Sequence, residues 1–246
     1  MLRVATLVLA LSACVAETGD EGMYVLNNSA ISGDSCALNG SSMQAFLPRG
    51  EIFALSPAGY LLTPLVESKL AVVEGQDPTL KTIQLHSADV ELTVKAISVQ
   101  HADSTFTSSQ PNTTLAQFTS LFSGAVPPGG SVNVAFDVLP APTISSLVAM
   151  AGADVLNEVV HIEMLASVTI KGDLGGDDLE AAPYFYPISI CNDCVVNVLG
   201  TCPIPMGTAP REGNACNRYQ DGVVDCCRDT TVTPNRFICP ATVATM

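Results

Sequence analysis

The sequence predicts an all-β protein, an antiparallel β-sandwich with a disulfide-rich, mostly irregular C-terminal segment. Three observations lead to this fold class. Apolar and polar residues alternate in several short stretches, clusters of glycine and proline separate those stretches, and seven of the nine cysteines lie within residues 191–246. Alternation with period two places one face of a strand on a core and the other in water.

The strands of the predicted sandwich lie within residues 23–190. The clearest alternation involves Val90, Leu92 and Val94, and it recurs at residues 132–138 and 162–170. Shorter patterns predict further strands at residues 23–27, 51–55, 70–73, 82–86 and 184–190. Turn sequences such as PPGG at 127–130 separate them.

Two regions depart from this alternation. Residues 142–160 carry apolar side chains at approximately helical spacing, and Pro142 suits a first helical turn, where its missing N–H costs nothing. We expect one helix or two short turns across an end of the sandwich. Residues 101–124 are rich in Ser, Thr, Gln and Asn, which predicts an exposed loop with a short helix near 114–122.

The first residues match the export signal of a bacterial lipoprotein. Arg3 precedes an apolar stretch at 4–11, and small residues follow it up to Cys14. We expect residues 1–13 to be removed and acyl chains to be attached to Cys14, with residues 14–22 as an acidic tether. The alternative is an ordinary secretory signal cleaved after Ala16. An Asp directly after the lipidated cysteine would resemble an inner-membrane retention signal, but this position is Val15. The outer membrane is therefore the expected location, with the protein facing either the periplasm or the exterior.

The charge balance restricts the partners. Without residues 1–13 the chain has nine basic residues against 24 acidic ones, a net charge of −15. Nucleic acid and anionic lipid surfaces both require clustered basic residues, so neither is an expected partner. The expected contact with a membrane is through the lipid on Cys14.

The cysteine count predicts four disulfides. If Cys14 carries lipid, eight cysteines remain, and an even number in an exported protein indicates a disulfide framework. Residues 191–246 are too few to bury a large core, so we expect these bridges to hold them. The eight are Cys36, Cys191, Cys194, Cys202, Cys216, Cys226, Cys227 and Cys239.

The order of the cysteines predicts part of their pairing. We expect Cys36 to pair with a cysteine just after the last strand of the sandwich, and the neighbours Cys226 and Cys227 to have different partners. The three candidates for Cys36 are Cys191, Cys194 and Cys202. Zinc held by the Cys-x-x-Cys at 191–194 together with Cys226 and Cys227 is the alternative. A thioredoxin-like redox role lacks the surrounding alternation of strands and helices.

An acidic turn predicts a possible calcium site. Four carboxylates lie within eight residues, next to glycines that let a loop wrap a hard cation. They are Asp173, Asp177, Asp178 and Glu180. Their spacing is not that of an EF-hand, and the alternative is a solvated hairpin tip. A second acidic group, Asp221 and Asp225 with Asn217, is equally nonspecific.

No catalytic motif accompanies these features. His86, His101 and His161 lack metal-ligand spacing, and no nucleophile elbow is present. The predicted function is therefore binding or envelope structure at the outer membrane, with no cofactor unless the acidic turn holds calcium. The alternative is a secreted or tethered hydrolase that uses converging acidic residues.

Several short motifs carry a family resemblance. They are GYLLTPLV at 59–66, GDLGG at 172–176, GNACN at 213–217, QDGVVDCC at 220–227 and CP at 239–240. The chain resembles, over most of its length, uncharacterised predicted lipoproteins of myxobacteria and related Gram-negative bacteria. The resemblance implies an envelope location and contributes no catalytic residue.

Overall fold

The all-β class is confirmed. A computed structural model describes residues 22–31, 36–38, 45–72, 75, 78–232 and 236–243, so the predicted signal, Cys14 and the tether up to residue 21 lie outside the described residues. Within them the structure has fifteen strands, one α-helix, α1 (Ala141–Ala151), and a 3-10 turn at Pro78–Lys81. The strands are β1 (Met23–Asn28), β2 (Gly50–Phe53), β3 (Tyr60–Leu62), β4 (Pro64–Ser68), β5 (Ile83–Gln100), β6 (Phe106–Ser109), β7 (Thr113–Val126), β8 (Ser131–Asn133), β9 (Phe136–Leu139), β10 (Val159–Leu174), β11 (Asp177–Glu180), β12 (Tyr184–Cys191), β13 (Val196–Thr201), β14 (Val224–Asp229) and β15 (Arg236–Ile238).

The larger sheet of the sandwich has seven strands. Its order is β2-β12-β10-β5-β6, with β7 beside β5 and β11 beside β10. The long central strands β5 and β10 pair antiparallel, while β2 runs parallel to β12 at the edge. Along β10 the side chains alternate strictly, with Ile162, Met164 and Ala166 buried and the intervening residues towards solvent. The period-two pattern therefore fixes which face of the sheet meets the core.

The opposite layer consists of two small sheets and the helix. Strand β4 lies between β1 and β8, and β3 pairs with β9. Leu62 and Val66 of this layer join Ile162 and Val168 of the larger sheet in one apolar cluster. A single continuous core thus lies between the two layers.

Helix α1 confirms the helical part of the pattern at 142–160. Pro142 lies in its first turn, and Ile144, Leu147 and Val148 are its buried residues. The helix ends at Gly152, whose left-handed φ of 66° lets its N–H bond the carbonyl of Ala149. Residues 152–158 are irregular and return the chain to β10.

Two local expectations are wrong, and a third is only partly right. Residues 101–124 form β6 and most of β7 in place of a loop and a short helix, because β7 pairs with β5 along most of its length. Its Phe122 ring stacks on Phe136 at 4.8 Å between centroids, so the edge strand contributes to the core in spite of its polar composition. Residues 70–72 of the strand expected at 70–73 lie outside strands, and the stretch at 132–138 is divided between β8 and β9.

Because β10 has one buried face and one solvent face, replacing a large apolar side chain by alanine should affect stability differently on the two faces. Ile162 is fully buried, whereas Leu165 lies half-buried on the solvent face. We expect Ile162→Ala to lower the free energy of unfolding by about 2–5 kcal/mol through lost burial and a cavity, and Leu165→Ala to lower it by about 1 kcal/mol or less. Urea unfolding measures both, and equal losses would contradict the assignment of faces.

Candidate binding groove

The C-terminal segment forms a small sheet of its own. Strand β14 lies between β13, which runs parallel to it, and β15, which runs antiparallel. Two small apolar clusters support this sheet, and one of them includes Phe53 from the sandwich. The segment therefore has little core of its own and depends on other links.

Disulfides supply part of those links. All eight candidate cysteines are paired, as Cys36–Cys216, Cys191–Cys194, Cys202–Cys227 and Cys226–Cys239. The expectations of four bridges and of different partners for the two neighbouring cysteines are confirmed. The expected pairing of Cys36 with a cysteine just after the sandwich is wrong, because residues 217–221 fold back onto the sandwich and bring Cys216 with them. The four-thiolate zinc alternative is also wrong, since its thiols belong to three different bridges.

Backbone and amide hydrogen bonds attach residues 217–221, which we call the docking loop, to the sandwich. The Phe53 N–H donates to the carbonyl of Tyr219 at 2.9 Å. The Gln220 amide both accepts from the N–H and donates to the carbonyl of Leu61, each at 2.8 Å. This paired geometry resembles an added strand position, so it sets the register of the loop.

A buried chain of hydrogen bonds completes the attachment. Asn28 donates to the Tyr186 hydroxyl at 2.9 Å, the hydroxyls of Tyr186 and Tyr60 lie 3.0 Å apart, and Tyr60 donates to Asp221 Oδ2 at 2.6 Å. Asp221 Oδ1 accepts the Glu51 N–H at 2.8 Å. Burial raises the pKa of Asp221 to about 6 and the pKa of Tyr60 well above its ordinary value. Each polar atom in this chain has a partner, as a buried network requires.

The attachment creates an apolar groove of about 450 Å³ between the segment and the sandwich. Phe53, Tyr219 and Phe237 line it. The Tyr219 ring is stacked on Phe53 with 6.0 Å between centroids, and the Phe237 and Phe53 rings lie 6.1 Å apart at 71° to each other. Leu55 and residues 153–156 line the side that belongs to the sandwich. A volume and lining of this kind are typical of sites for small molecules.

Two side chains at the groove, Arg236 and Tyr219, have hydrogen-bond donors without partners in the described part of the chain. Arg236 donates through Nε to Asp229 at 3.1 Å, but neither of its Nη atoms has a hydrogen-bond partner there, and neither does the Tyr219 hydroxyl. The Asp154 carboxylate, in contrast, accepts bonds from its own loop, including the Leu156 N–H at 3.2 Å. The groove therefore presents free donors, the two Nη atoms of Arg236 and the Tyr219 hydroxyl, although the charge of Arg236 already pairs with Asp229.

Arg228 joins the two sides of the groove. Its Nη2 donates to the carbonyl of Leu156 at 2.9 Å, and its guanidinium lies 5.7 Å from the centre of the Phe237 ring. A cation over an aromatic face attracts the ring electrostatically. The Arg228 guanidinium therefore helps to set the position of the Phe237 ring.

The acidic turn lies at the other end of the larger sheet. Asp173, Asp177, Asp178 and Glu180 lie along the β10–β11 hairpin, with Asp173 directly opposite Asp178. Lys171 pairs with Glu180 at 3.2 Å. No three of these carboxylates gather into a metal-sized group in the described chain. Calcium binding at the turn stays a prediction, and the hairpin geometry is that of the solvated alternative.

The second acidic group is divided between two tasks. Asp221 belongs to the buried chain of hydrogen bonds, while Asp225 pairs with Arg211 at 2.7 Å. The Arg211 guanidinium holds the pKa of Asp225 well below its ordinary value. These two carboxylates therefore do not converge on one ligand.

Each histidine has a neighbouring polar partner. The pairs are His86 with Ser87 at 2.8 Å, His101 with Glu158 at 2.9 Å and His161 with Asp193 at 2.8 Å. No described carboxylate contacts His86, so the adjacent serine and histidine do not form a Ser-His-acid triad. The pair at His161 lies beside Cys191.

Sequence reasoning missed the groove residues Phe53, Tyr219, Arg236 and Phe237. They lie far apart in the chain and form no motif. The one signal available was composition, since the chain has no Trp and only 13 Phe and Tyr residues together. Three of these rings meet at the groove.

Comparisons with known proteins add little to this geometry. No family model and no curated protein matches the chain. A solved structure, the sporulation control protein Spo0M from Bacillus subtilis, is similar over 56% of this chain and 44% of its own, at 13% identity and a TM-score of 0.23. The chain thus spans less than half the length of that protein, and neither fold nor function follows from a likeness of this size. In the described part of the chain, no helix is long and apolar enough to cross a bilayer.

The pairing of Cys36 predicts a measurable constraint. The Cys36–Cys216 bridge spans 180 residues, so in the chain-entropy model its loss lowers the free energy of unfolding by up to about 5 kcal/mol. The same model gives about 2 kcal/mol for the Cys191–Cys194 bridge, which spans three residues. We expect the double variant C36S/C216S to unfold at lower urea than the matched C191S/C194S. Non-reducing peptide mapping must first show the four bridges, and a Cys36 peptide linked to any partner except Cys216 would refute the pairing.

The raised pKa of Asp221 predicts a specific dependence of stability on pH. Because its pKa is about 6 when folded and about 3.9 when unfolded, the folded protein binds this proton more tightly. Its stabilisation is complete below pH about 4 and is lost as the pH rises through about 6. We expect the stability difference between the wild type and Asp221→Asn to shrink by roughly 3 kcal/mol over that range. Urea midpoints measured from pH 4 to 7 test this, with the exposed Asp178→Asn as control, and identical slopes for the wild type and Asp221→Asn would contradict it.

Proposed function

We propose that this protein is an outer-membrane lipoprotein, anchored through Cys14, that binds a small apolar carboxylate in the groove beside Phe53. The export signal and the family resemblance support the location. The groove supports the binding role, because aromatic rings and the free Nη donors of Arg236 meet there. The predicted calcium site plays no part in this proposal.

The chemistry of the groove selects the ligand class. Stacked and edge-on rings at Phe53 favour a flat or extended apolar body, which burial in the groove removes from water. The free Nη atoms of Arg236 suit an acidic group, since guanidinium and carboxylate match in charge and geometry. The Tyr219 hydroxyl offers a second donor on the same side. An apolar molecule with one carboxylate uses all of these groups at once.

The groove lies far from Gly22, the first residue that the structure describes. The carbonyl of Gly22, the last residue before β1, accepts the Lys69 N–H at 2.9 Å, and Gly22 lies beside Leu179 of the β10–β11 hairpin. The groove lies at the opposite end of β10, next to Leu156. At about 3.3 Å per residue, the part of β10 between them spans about 40 Å. A chain tethered at its N-terminus would therefore present the groove away from the membrane.

The anchor is tested by replacing its acyl acceptor. We expect wild-type protein from cells to partition into the detergent phase and Cys14→Ser to stay in the aqueous phase, because the lipid is the proposed membrane contact. The purified Cys14→Ser protein should keep the urea midpoint of the wild type. Mass spectrometry of the mature N-terminus decides between the signals, and an unmodified terminus at Glu17 would show the lipoprotein proposal to be wrong.

The binding site is tested with a naphthalene carboxylate and its neutral carboxamide, titrated by fluorescence. We expect the carboxylate to bind about tenfold more tightly than the carboxamide, since a charged hydrogen bond is worth about 1.5–3 kcal/mol and Arg236 is partly exposed. Arg236→Gln should remove this preference, and Tyr219→Ala should weaken both probes.

Phe185→Ala is the matched control for the loss of a ring. Phe185 is 60% exposed on the solvent face of the larger sheet and lies outside the groove. Its replacement should leave both affinities unchanged. Equal affinities in the wild type and Tyr219→Ala would place the probe elsewhere and would refute the groove as the binding site.

A further inference from the structure

A second group of reactive side chains lies at the end of β12, and the predictions from sequence did not bring it together. His161 of β10 is directly opposite Cys191 of β12 in the sheet. The imidazole Nε2 of His161 lies 2.8 Å from Asp193 Oδ1. One ligand atom from each of His161, Cys191 and Asp193 lies within 4.8 Å of the other two. Cys194 lies outside this group, but its sulfur is bonded to that of Cys191 and supplies a second thiol beside it after reduction.

Asn192 holds this group together independently of the disulfide. Its Oδ1 accepts the Val160 N–H at 3.0 Å, and its Nδ2 donates to the carbonyls of Val155 and Glu158 at 2.8 and 2.6 Å. These three bonds attach the turn at 191–194 to the start of β10. The turn therefore keeps Asp193 beside His161 whether or not the two sulfurs are bonded.

The Cys191–Cys194 bridge differs from the other three in what it does for the fold. It spans three residues, while the others span 13, 25 and 180. Closing so short a loop restrains the unfolded chain least, and the strand pairing of β12 already fixes Cys191. The partial exposure of Cys194 gives a reductant access to one of the two sulfurs. Opening this bridge is thus the least costly to the fold.

We propose that reduction of Cys191–Cys194 creates a zinc site with His161, Cys191, Asp193 and Cys194 as its four ligands. A dithiol supplies two electrons and two protons to the bridge and is itself oxidised to a disulfide. Zn²⁺ then displaces the two thiol protons to solvent and binds the thiolates. In the oxidised protein the sulfurs are bonded to each other and do not serve as thiolate ligands.

The donor set and its spacing fit zinc. Zinc prefers four ligands in a tetrahedron, with bonds of about 2.3 Å to sulfur and about 2.0–2.2 Å to nitrogen and oxygen. Ligand atoms around such an ion lie about 3.3–3.8 Å apart, and those of His161, Cys191 and Asp193 already lie within 4.8 Å of one another. The 2.8 Å contact of His161 with Asp193 must open by only a few tenths of an ångström to admit the ion. This inference does not depend on the proposed ligand of the groove.

The experiment uses the full mature chain. Limited dithiothreitol treatment followed by anaerobic desalting and alkylation identifies which bridge opens first. Zinc bound per chain is measured by elemental analysis on a second portion that is reduced and desalted but not alkylated. We expect Cys191 and Cys194 to be alkylated first, and one zinc ion to bind the reduced protein but not the oxidised one. Cobalt(II) gives a second readout on the unaltered chain, because tetrahedral thiolate ligation produces characteristic absorption bands.

Variants separate this site from other thiols. We expect His161→Gln and Asp193→Asn to weaken zinc binding at least tenfold, and the double variant C191S/C194S to abolish it. His86→Gln is the matched control, since His86 lies away from the cluster, and it should bind zinc as the wild type does. The proposal is overturned if another bridge opens first, or if Cys191 and Cys194 are reduced and alkylatable but the protein binds no zinc. Undiminished zinc binding in His161→Gln would overturn it as well.

Discussion

The buried hydrogen-bond chain from Asn28 through Tyr186 and Tyr60 to Asp221 is the constraint on which the rest of the structure depends. It joins strands of both layers to the C-terminal segment. An apolar contact is non-directional and permits sliding, whereas hydroxyl and carboxylate partners are satisfied in one arrangement only. Losing one member would leave the others buried and unpaired. These hydrogen bonds therefore specify where the C-terminal segment lies, and they also stabilise it there.

The groove follows from that placement. Tyr219 belongs to the docking loop, so its ring reaches Phe53 only because Gln220 and Asp221 fix the loop on β2 and β3. On the opposite side of the groove, Arg228 holds Leu156 through a hydrogen bond to its carbonyl. Disulfides contribute differently, because they limit the unfolded chain and select no side-chain geometry. The covalent bridges keep the segment nearby, and the polar contacts determine the shape of the groove.

The parts of the fold that depend on local pattern could be predicted from the sequence. The alternation of β10 and the helical spacing around Leu147 are local, and both appear in the structure. Strand β7 was missed because its polar residues show no alternation that would indicate a core-facing side. Its pairing with β5 joins residues distant in sequence, which a local pattern does not show. The partner of Cys36 was missed for the same reason, since it depends on how residues 217–221 return to the sandwich. No local pattern indicates that Phe53 and Tyr219 meet.

The four disulfides differ in how much the fold depends on them. Cys216, Cys202 and Cys226 each bond a residue at least 13 positions away, so each of their bridges restrains the unfolded chain more than the three-residue Cys191–Cys194 bridge does. Cys191 is already held by its pairing with β10, and Asn192 holds the turn that follows. A bridge whose ends are fixed by other contacts adds little to the fold, so its sulfurs are free to have a chemical role. The adjacent His161 and Asp193 give that role its ligands.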